Sequence, residues 1–346
     1  MKLIVHALIL ILTGFVNNVF AQDPTFSMKT RNLLFFNPGS CGATEDIKVS
    51  LNHRDQWRAI TTPFQTSTLS VEGKMSKKTH RYQKFVTGAG MYFMNDQSGS
   101  SELKVNSINV AFSAILQTSD KGLFCGGIMG GYGARSARLK GLQWSNQYVN
   151  GSYNPGISSG EVFTFTRYSY FDVGAGIHYH YGLDPSFMRA NDGVKFQFGY
   201  SIYHLGVARN SFAVDTIRSG IRQTIYGTAL IGKDLTDLSL VPEIFYQRQA
   251  KFNEFQYGLG VRYLIQEESR QTGFIGAKAL QAGLYHRWND AVVVNCILMY
   301  SNYSLGISYD FNVSDLRKVS NGRGAFEIQL GFQAPDPFNY ATRSRI

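Results

Sequence analysis

The chain is short of cysteine, of charge and of long apolar runs, and each shortage excludes something. Its three cysteines, Cys41, Cys125 and Cys296, are odd in number and far apart. They fit neither a zinc pattern nor an obvious disulfide framework. Charged residues make up 17% of the chain, below the roughly 25% of an average globular domain. Past residue 21 no stretch approaches the ~18 apolar residues a spanning helix needs. The formal charge is +10, yet no run of Lys or Arg exceeds two residues and no aromatic-basic platform interrupts the pattern. Nucleic acid is therefore not a partner, and diffuse positive charge belongs to a lumen or rim. The HExxH and CxxC signatures are missing as well, so no catalytic, cofactor-binding or metal-ligating set emerges.

What is present is alternation. In FDVGAGIHYHY, residues 171–181, Phe171, Val173, Ala175, Ile177, Tyr179 and Tyr181 share one parity. Asp172, Gly174, Gly176, His178 and His180 share the other. Successive side chains of a strand point to opposite faces, so this is a strand between two unlike surroundings. Residues 1–21 read as a secretory signal, with Lys2 ahead of an apolar core over Leu3–Val16 and small residues before Gln22. Residues 22–46 lack alternation and carry the breakers Asn37-Pro38-Gly39 and Gly42. Alternating segments then recur near 47–57, 63–75, 84–95, 105–118, 122–138, 168–182 and 194–207. They continue near 222–233, 238–249, 254–265, 278–288, 291–300, 303–311 and 325–333. Fourteen is an even number, as a single-chain outer-membrane barrel requires. In a soluble sandwich the polar parity faces water and is rich in Lys, Glu and Thr. Here it is rich in Gly, Ser, Gln and His, while aromatics reach 14% and glycines number 35. That composition suits lipid outside and a crowded polar lumen inside.

The expected architecture is all-β: a single antiparallel transmembrane outer-membrane β-barrel of about fourteen strands over 47–333. It follows an irregular N-terminal segment over 22–46 and precedes a polar tail over 334–346. Short turns on one rim and long loops on the other are expected, with 139–167 the longest loop. His178 and His180 read as lumen-facing, hydrogen-bonded side chains rather than metal ligands, since no third and fourth ligand accompany them. His204 and Ser201 fall on opposite parities, which places them on different sides of the wall and prevents direct reaction. Trp57 reads as an interface anchor. Arg54 and Asp55 read alternatively as a lumen pair tying down Asn37–Gly42, and both readings can hold. Inward glycines at 174, 176, 258, 260 and 283 either relieve crowding or clear room for an inserted peptide strand.

Four stretches resemble the PorP/SprF family of outer-membrane proteins of the Bacteroidetes type IX secretion system. They are QDPTFSMKTRNLLFFNPGSCG (22–42), NHRDQWRAI (52–60), YSIYHLGV (200–207) and GISYDFNVSDLRKVSNGRGAFEIQLGF (306–332). Gly39-Ser40-Cys41 departs from the Ala or Tyr that often follows Asn-Pro in the family. The resemblance implies a non-enzymatic outer-membrane component of secretion, partnered by secreted adhesin-like cargo, by other secretion subunits and by outer-membrane lipid. A passive pore or hydrophobic-solute transporter is the alternative. On this resemblance Asn37, Pro38, Arg54, Asp55, Gln56, Trp57, His204, Tyr309 and Asp310 are the candidate contacts for a lumen plug or a visiting partner.

Overall fold

A computed structural model describes residues 23–60, 62–75, 85–119, 121–138, 142–149, 151–160, 167–182, 193–206, 219–233, 236–267 and 277–334. The signal reading over 1–21 and nearly all of the polar tail lie outside them. Strands β1 (Ile47–Gln56), β2 (Phe64–Lys74), β3 (Phe85–Ser98), β4 (Leu103–Gln117) and β5 (Gly122–Ser136) open the barrel. A small hairpin follows, β6 (Tyr148–Val149) and β7 (Ser152–Tyr153). The barrel resumes with β8 (Arg167–Tyr181), β9 (Gly193–Tyr203), β10 (Arg222–Gly232), β11 (Leu238–Gln249) and β12 (Phe252–Gln266). It ends with β13 (Lys278–Arg287), β14 (Ala291–Tyr300), β15 (Tyr303–Asn312) and β16 (Arg323–Ala334). All but β6 and β7 form one closed barrel in chain order, and β1 pairs with β16 as the seam. The alternating segments thus all become strands. The largest boundary shift is at β9, which stops at Tyr203 instead of 207. The cause is local: His204 takes φ +63°, a left-handed conformation that ends the ladder.

Alternation sorts side chains as the period requires. On β8, Phe171 is 73% exposed and Val173 and Ile177 face outward, whereas Asp172 and His178 are buried within. Outward aromatics gather near strand ends, as with Tyr181 on Phe196 and Tyr303 on Phe332. Such amphipathic rings suit the lipid–water boundary. Closing the sheet leaves no open edge in hydrocarbon, where an unpaired backbone group would cost several kcal/mol.

We call the rim that carries the start of β1 and the end of β16 the terminal rim, and the opposite one the distal rim. The expected division into short-turn and long-loop rims does not hold. The distal rim bears the two longest connections, 137–166 and 204–221, but also the tight turns at 250–251 and 288–290. The terminal rim mixes the 301–302 turn with connections at 75–84, 182–192 and 267–277. The longest connection is also not plain loop, since it contains the β6–β7 hairpin.

Candidate functional site in the barrel lumen

The N-terminal segment fills the lumen. Asp23 sits at the distal rim, where its N–H donates to Gln249 Oε1 at 2.9 Å. Asp46 sits at the terminal rim, where its carbonyl accepts from Lys74 N at 3.1 Å. Between them the chain makes three short helical turns, Lys29–Arg31, Leu33–Phe36 and Pro38–Ser40. Irregularity in the sequence therefore encodes a compact plug. Pro38 starts the last turn with its φ already set, and the Asn37 side chain accepts from Gly39 N at 2.8 Å. Phe26, Leu33, Leu34, Phe35 and Phe36 bury against Tyr92, Val105, Met129, Tyr203, Tyr226 and Phe245, which come from β3, β4, β5, β9, β10 and β11. Phe35 meets Phe26, Phe36 and Tyr92 edge-on.

Near the distal rim the plug rests on a buried charge network. Arg54 pairs with Asp310 at 2.7 Å and Glu327 at 3.2 Å, and donates to the Ser27 hydroxyl. Arg287 reaches Asp310 at 3.0 Å, Glu254 at 3.1 Å and Ser27 Oγ at 2.8 Å. Glu327 accepts from the backbone N–H groups of Ser27 (2.6 Å) and Met28 (3.2 Å). Lys29 completes the set with an ion pair to Glu254. Three cations thus meet three carboxylates, the condition under which buried charge is tolerable. Burial pulls the Lys29 amine down to about 8 despite the opposing pull of Glu254.

A second cluster holds the first described residue. The Asp23 carboxylate contacts Arg222 at 2.8 Å and His204 Nε2 at 2.7 Å, and His204 Nδ1 lies 3.0 Å from Asp172. Burial alone would lower the His204 imidazole, but the Asp23 and Asp172 carboxylates outweigh it and raise it to about 9. Burial likewise opposes ionisation of Asp23, yet His204 and Arg222 hold that carboxyl well below the usual range.

Toward the terminal rim the seat is glycine. A Cβ at Gly127 would lie 2.3 Å from Pro38 O, and one at Gly176 would lie 2.1 Å from Asn37 Oδ1. Gly88 makes room for the Cys41 carbonyl in the same way, at 2.4 Å. The peptide that inward glycines accommodate is therefore the chain's own. Asn37 Nδ2 donates to Ile177 O at 2.8 Å and Tyr226 Oη at 3.1 Å, and that hydroxyl also meets His178 Nδ1 at 2.8 Å. Ser201 Oγ donates to Phe36 O at 2.5 Å. Gly258 and Gly283 serve differently, since a Cβ at either would strike the Tyr285 ring.

The candidate contacts divide accordingly. Asn37, Pro38, Arg54, His204 and Asp310 touch or hold the plug. Gln56 supports Arg54, its amide oxygen accepting from Arg54 Nη2 at 3.0 Å once the amide is oriented to satisfy both. The proposed Arg54–Asp55 lumen pair does not form, because neighbours on a strand point to opposite faces. Asp55 instead pairs with Arg58 and accepts from Gln65 at 3.3 Å. Arg54 secures Ser27 and not the Asn37–Gly42 stretch. Trp57 turns with φ +58° and packs edge-on against Phe64 at the distal rim. Tyr309 lies on the outer face beside Phe311, so neither it nor Trp57 reaches the plug. The expected separation of Ser201 and His204 also fails, since the backbone turn at His204 brings its ring back inside. The two still serve different partners, Phe36 and Asp23.

Sequence reasoning missed Asp23, Ser27, Lys29, Arg222, Glu254, Arg287 and Glu327. The wall members among them, Arg222, Glu254, Arg287 and Glu327, share one signal, which is charge on the inward parity of a strand.

Comparison with known proteins extends these observations. No curated protein sequence matches the chain. Among solved structures, the CymD monoaromatic hydrocarbon channel aligns at 13% identity and TM-score 0.47, over 91% of this chain and 95% of that one. A FadL homologue from Pseudomonas aeruginosa aligns at 10% identity and TM-score 0.45, over 92% and 95%. BamA from Haemophilus ducreyi, lacking POTRA domains 1-3, aligns at 8% identity and TM-score 0.43, over 83% and 70%. A family profile described as type IX secretion system membrane protein PorP/SprF matches residues 18–332. With that match across a closed barrel whose N-terminal motif fills its own lumen, the chain belongs to the PorP/SprF family of outer-membrane proteins of type IX secretion.

Proposed function

We propose that this barrel is a non-enzymatic holder of secreted proteins, which binds adhesin-like cargo and helps export it or anchor it at the cell surface. One observation carries the reading: residues 23–46 occupy the lumen and bury an aromatic cluster across it. A solute pore needs a continuous wet path, whereas a barrel so filled is suited to work through its rims and its plug. Membership of the secretion family supports partners among other secretion subunits and exported proteins. Strand addition or plug exchange would give such a partner main-chain hydrogen bonds, with alternate side-chain pockets for specificity. The passive-pore alternative lacks an observation in its favour. The test is pull-down of the tagged barrel from native membranes with mass spectrometry, alongside conductance in planar bilayers. A co-purifying secreted protein with a closed barrel is the expected outcome. A steady open conductance with no secreted partner would hand the case to the pore.

A further inference from the structure

Below the plug, at the terminal rim, the lumen widens into a vestibule of about 390 Å³. Among the described residues, its basic side chains are Arg31, Lys48, Lys195 and Arg262. Its carboxylates are Glu45, Glu72 and Glu243. Each carboxylate has a cation of its own in the neighbourhood. Glu72 pairs with Lys48 at 3.4 Å, and Glu45 sits in the field of Lys48 and Lys74. Glu243 faces Arg31 and accepts from the Thr30 hydroxyl at 3.1 Å and Tyr285 Oη at 3.4 Å. Arg262 is left over. Its Nε is buried without a hydrogen-bond partner, and no carboxylate of the described residues pairs with it.

A second group points the same way. Gln281 stands directly opposite Arg262 in the β12–β13 register and is 2% exposed. Its Oε1 accepts from Arg31 Nη2 at 3.0 Å, while its Nε2 donor is buried with no partner. Gly260, beside them on the same inward face, packs directly against this amide: a Cβ there would come within 3.1 Å of that Nε2. A buried guanidinium Nε–H and a buried amide N–H without partners each cost free energy unless a ligand meets them. A carboxylate meets both, because its two oxygens accept from a guanidinium fork and a neighbouring N–H together.

We propose that the vestibule is a carboxylate-binding site, formed by Arg262 and Gln281 beside Arg31. Four basic side chains against three carboxylates leave the lining one positive charge in surplus, which matches a monoanion and disfavours a phosphate dianion. The opening at the terminal rim admits either a free small carboxylate or the acidic end of an extended peptide. The assignment concerns a pocket that Arg31 of the plug helps to line, and it stands whether or not secreted cargo binds the barrel.

The test is titration calorimetry on the full-length barrel in detergent, with acetate, inorganic phosphate, an acetylated tripeptide bearing a free C-terminal carboxylate, and its amide. Saturable binding of acetate or the free-acid tripeptide is expected, with the amide at least tenfold weaker. Tighter binding of the tripeptide than of acetate identifies a peptide ligand, and equal binding identifies a free carboxylate. Arg262→Gln should weaken binding at least tenfold and Gln281→Leu several-fold, while Gly126→Ala on the outer wall leaves it unchanged. If Arg262→Gln yields no folded band on unboiled gels, Arg262→Lys keeps the charge but loses the fork, and the same loss of affinity is expected. Absence of carboxylate binding, a preference for phosphate, or an Arg262 variant that folds and binds like wild type would overturn the assignment.

Discussion

Replacing Gly127 with alanine should unseat the plug, and its neighbour Gly126 supplies the control. A Cβ at Gly127 would lie 2.3 Å from Pro38 O, 2.5 Å from Pro38 C and 2.7 Å from Gly39 N. All three are backbone atoms, so no rotamer change relieves the contact. The turn they belong to is fixed by the Asn37 cap and by the bonds from Asn37 to Ile177 O and Tyr226. Forcing a methyl group into a packed site costs about 1–3 kcal/mol. The same methyl at Gly126, on the outer face, meets nothing within 4 Å. There the loss of unfolded-chain freedom should stabilise by roughly 0.4–1 kcal/mol. The two adjacent alanines should thus differ by about 1.4–4 kcal/mol, in opposite directions from wild type. If the strain falls on the plug, 1–3 kcal/mol raises the unseated population about 5- to 150-fold. Single-channel recording in planar bilayers should then show frequent openings for Gly127→Ala and none beyond wild type for Gly126→Ala. Urea refolding midpoints into lipid vesicles give the stability arm. Indistinguishable conductance and midpoints for the two variants would refute the glycine seat.

Three further outcomes are expected. Arg54→Ala removes the buried partner of Asp310 and Glu327, a loss of about 3–5 kcal/mol; Arg287 retains Asp310, so the barrel should still form while a cysteine placed at Ser27 becomes open to maleimide and captured cargo declines. His204, raised from its ordinary 6.5 to about 9, contributes stability that is complete below pH 6.5 and lost as pH rises through 9; proteolysis at the Asp23 end should accelerate over that window, and His204→Gln should remove the dependence. Lysine at Ile177, outward near mid-strand, should cost about 2–4 kcal/mol in refolding into bilayers, against roughly 0–1 kcal/mol at the strand-end Tyr181.

Much of the wall was legible because a strand's period is 2 and its two solvents differ. Phe171, Val173 and Ile177 declared the lipid face, and Asp172 and His178 the lumen, without help from distant residues. The plug was legible only as a place where that period fails. Its seats were hidden for a different reason: Arg54 meets residues 256 and 273 positions away, and Ser27 meets one 300 away. Local spacing holds no information about such pairs, and proximity in sequence misled at Arg54–Asp55. The turn at His204 shows the other limit. One left-handed residue reversed the parity on which its separation from Ser201 had been argued.

The route of residues 23–46 fixes an order of events in assembly. Glu327, which receives the Ser27 and Met28 N–H groups, lies on β16, and Arg54, which ties it to Ser27, lies on β1. These two strands meet at the seam. The earliest part of the chain can therefore complete its contacts only when the last strand arrives. An empty barrel would close with only Arg54 and Arg287 to meet Glu254, Asp310 and Glu327, without the Lys29, Ser27 and Met28 donors, so zipping the seam and seating the plug reinforce one another. Contacts this remote make folding slow, and until the seam shuts the chain exposes strand edges that invite mispairing.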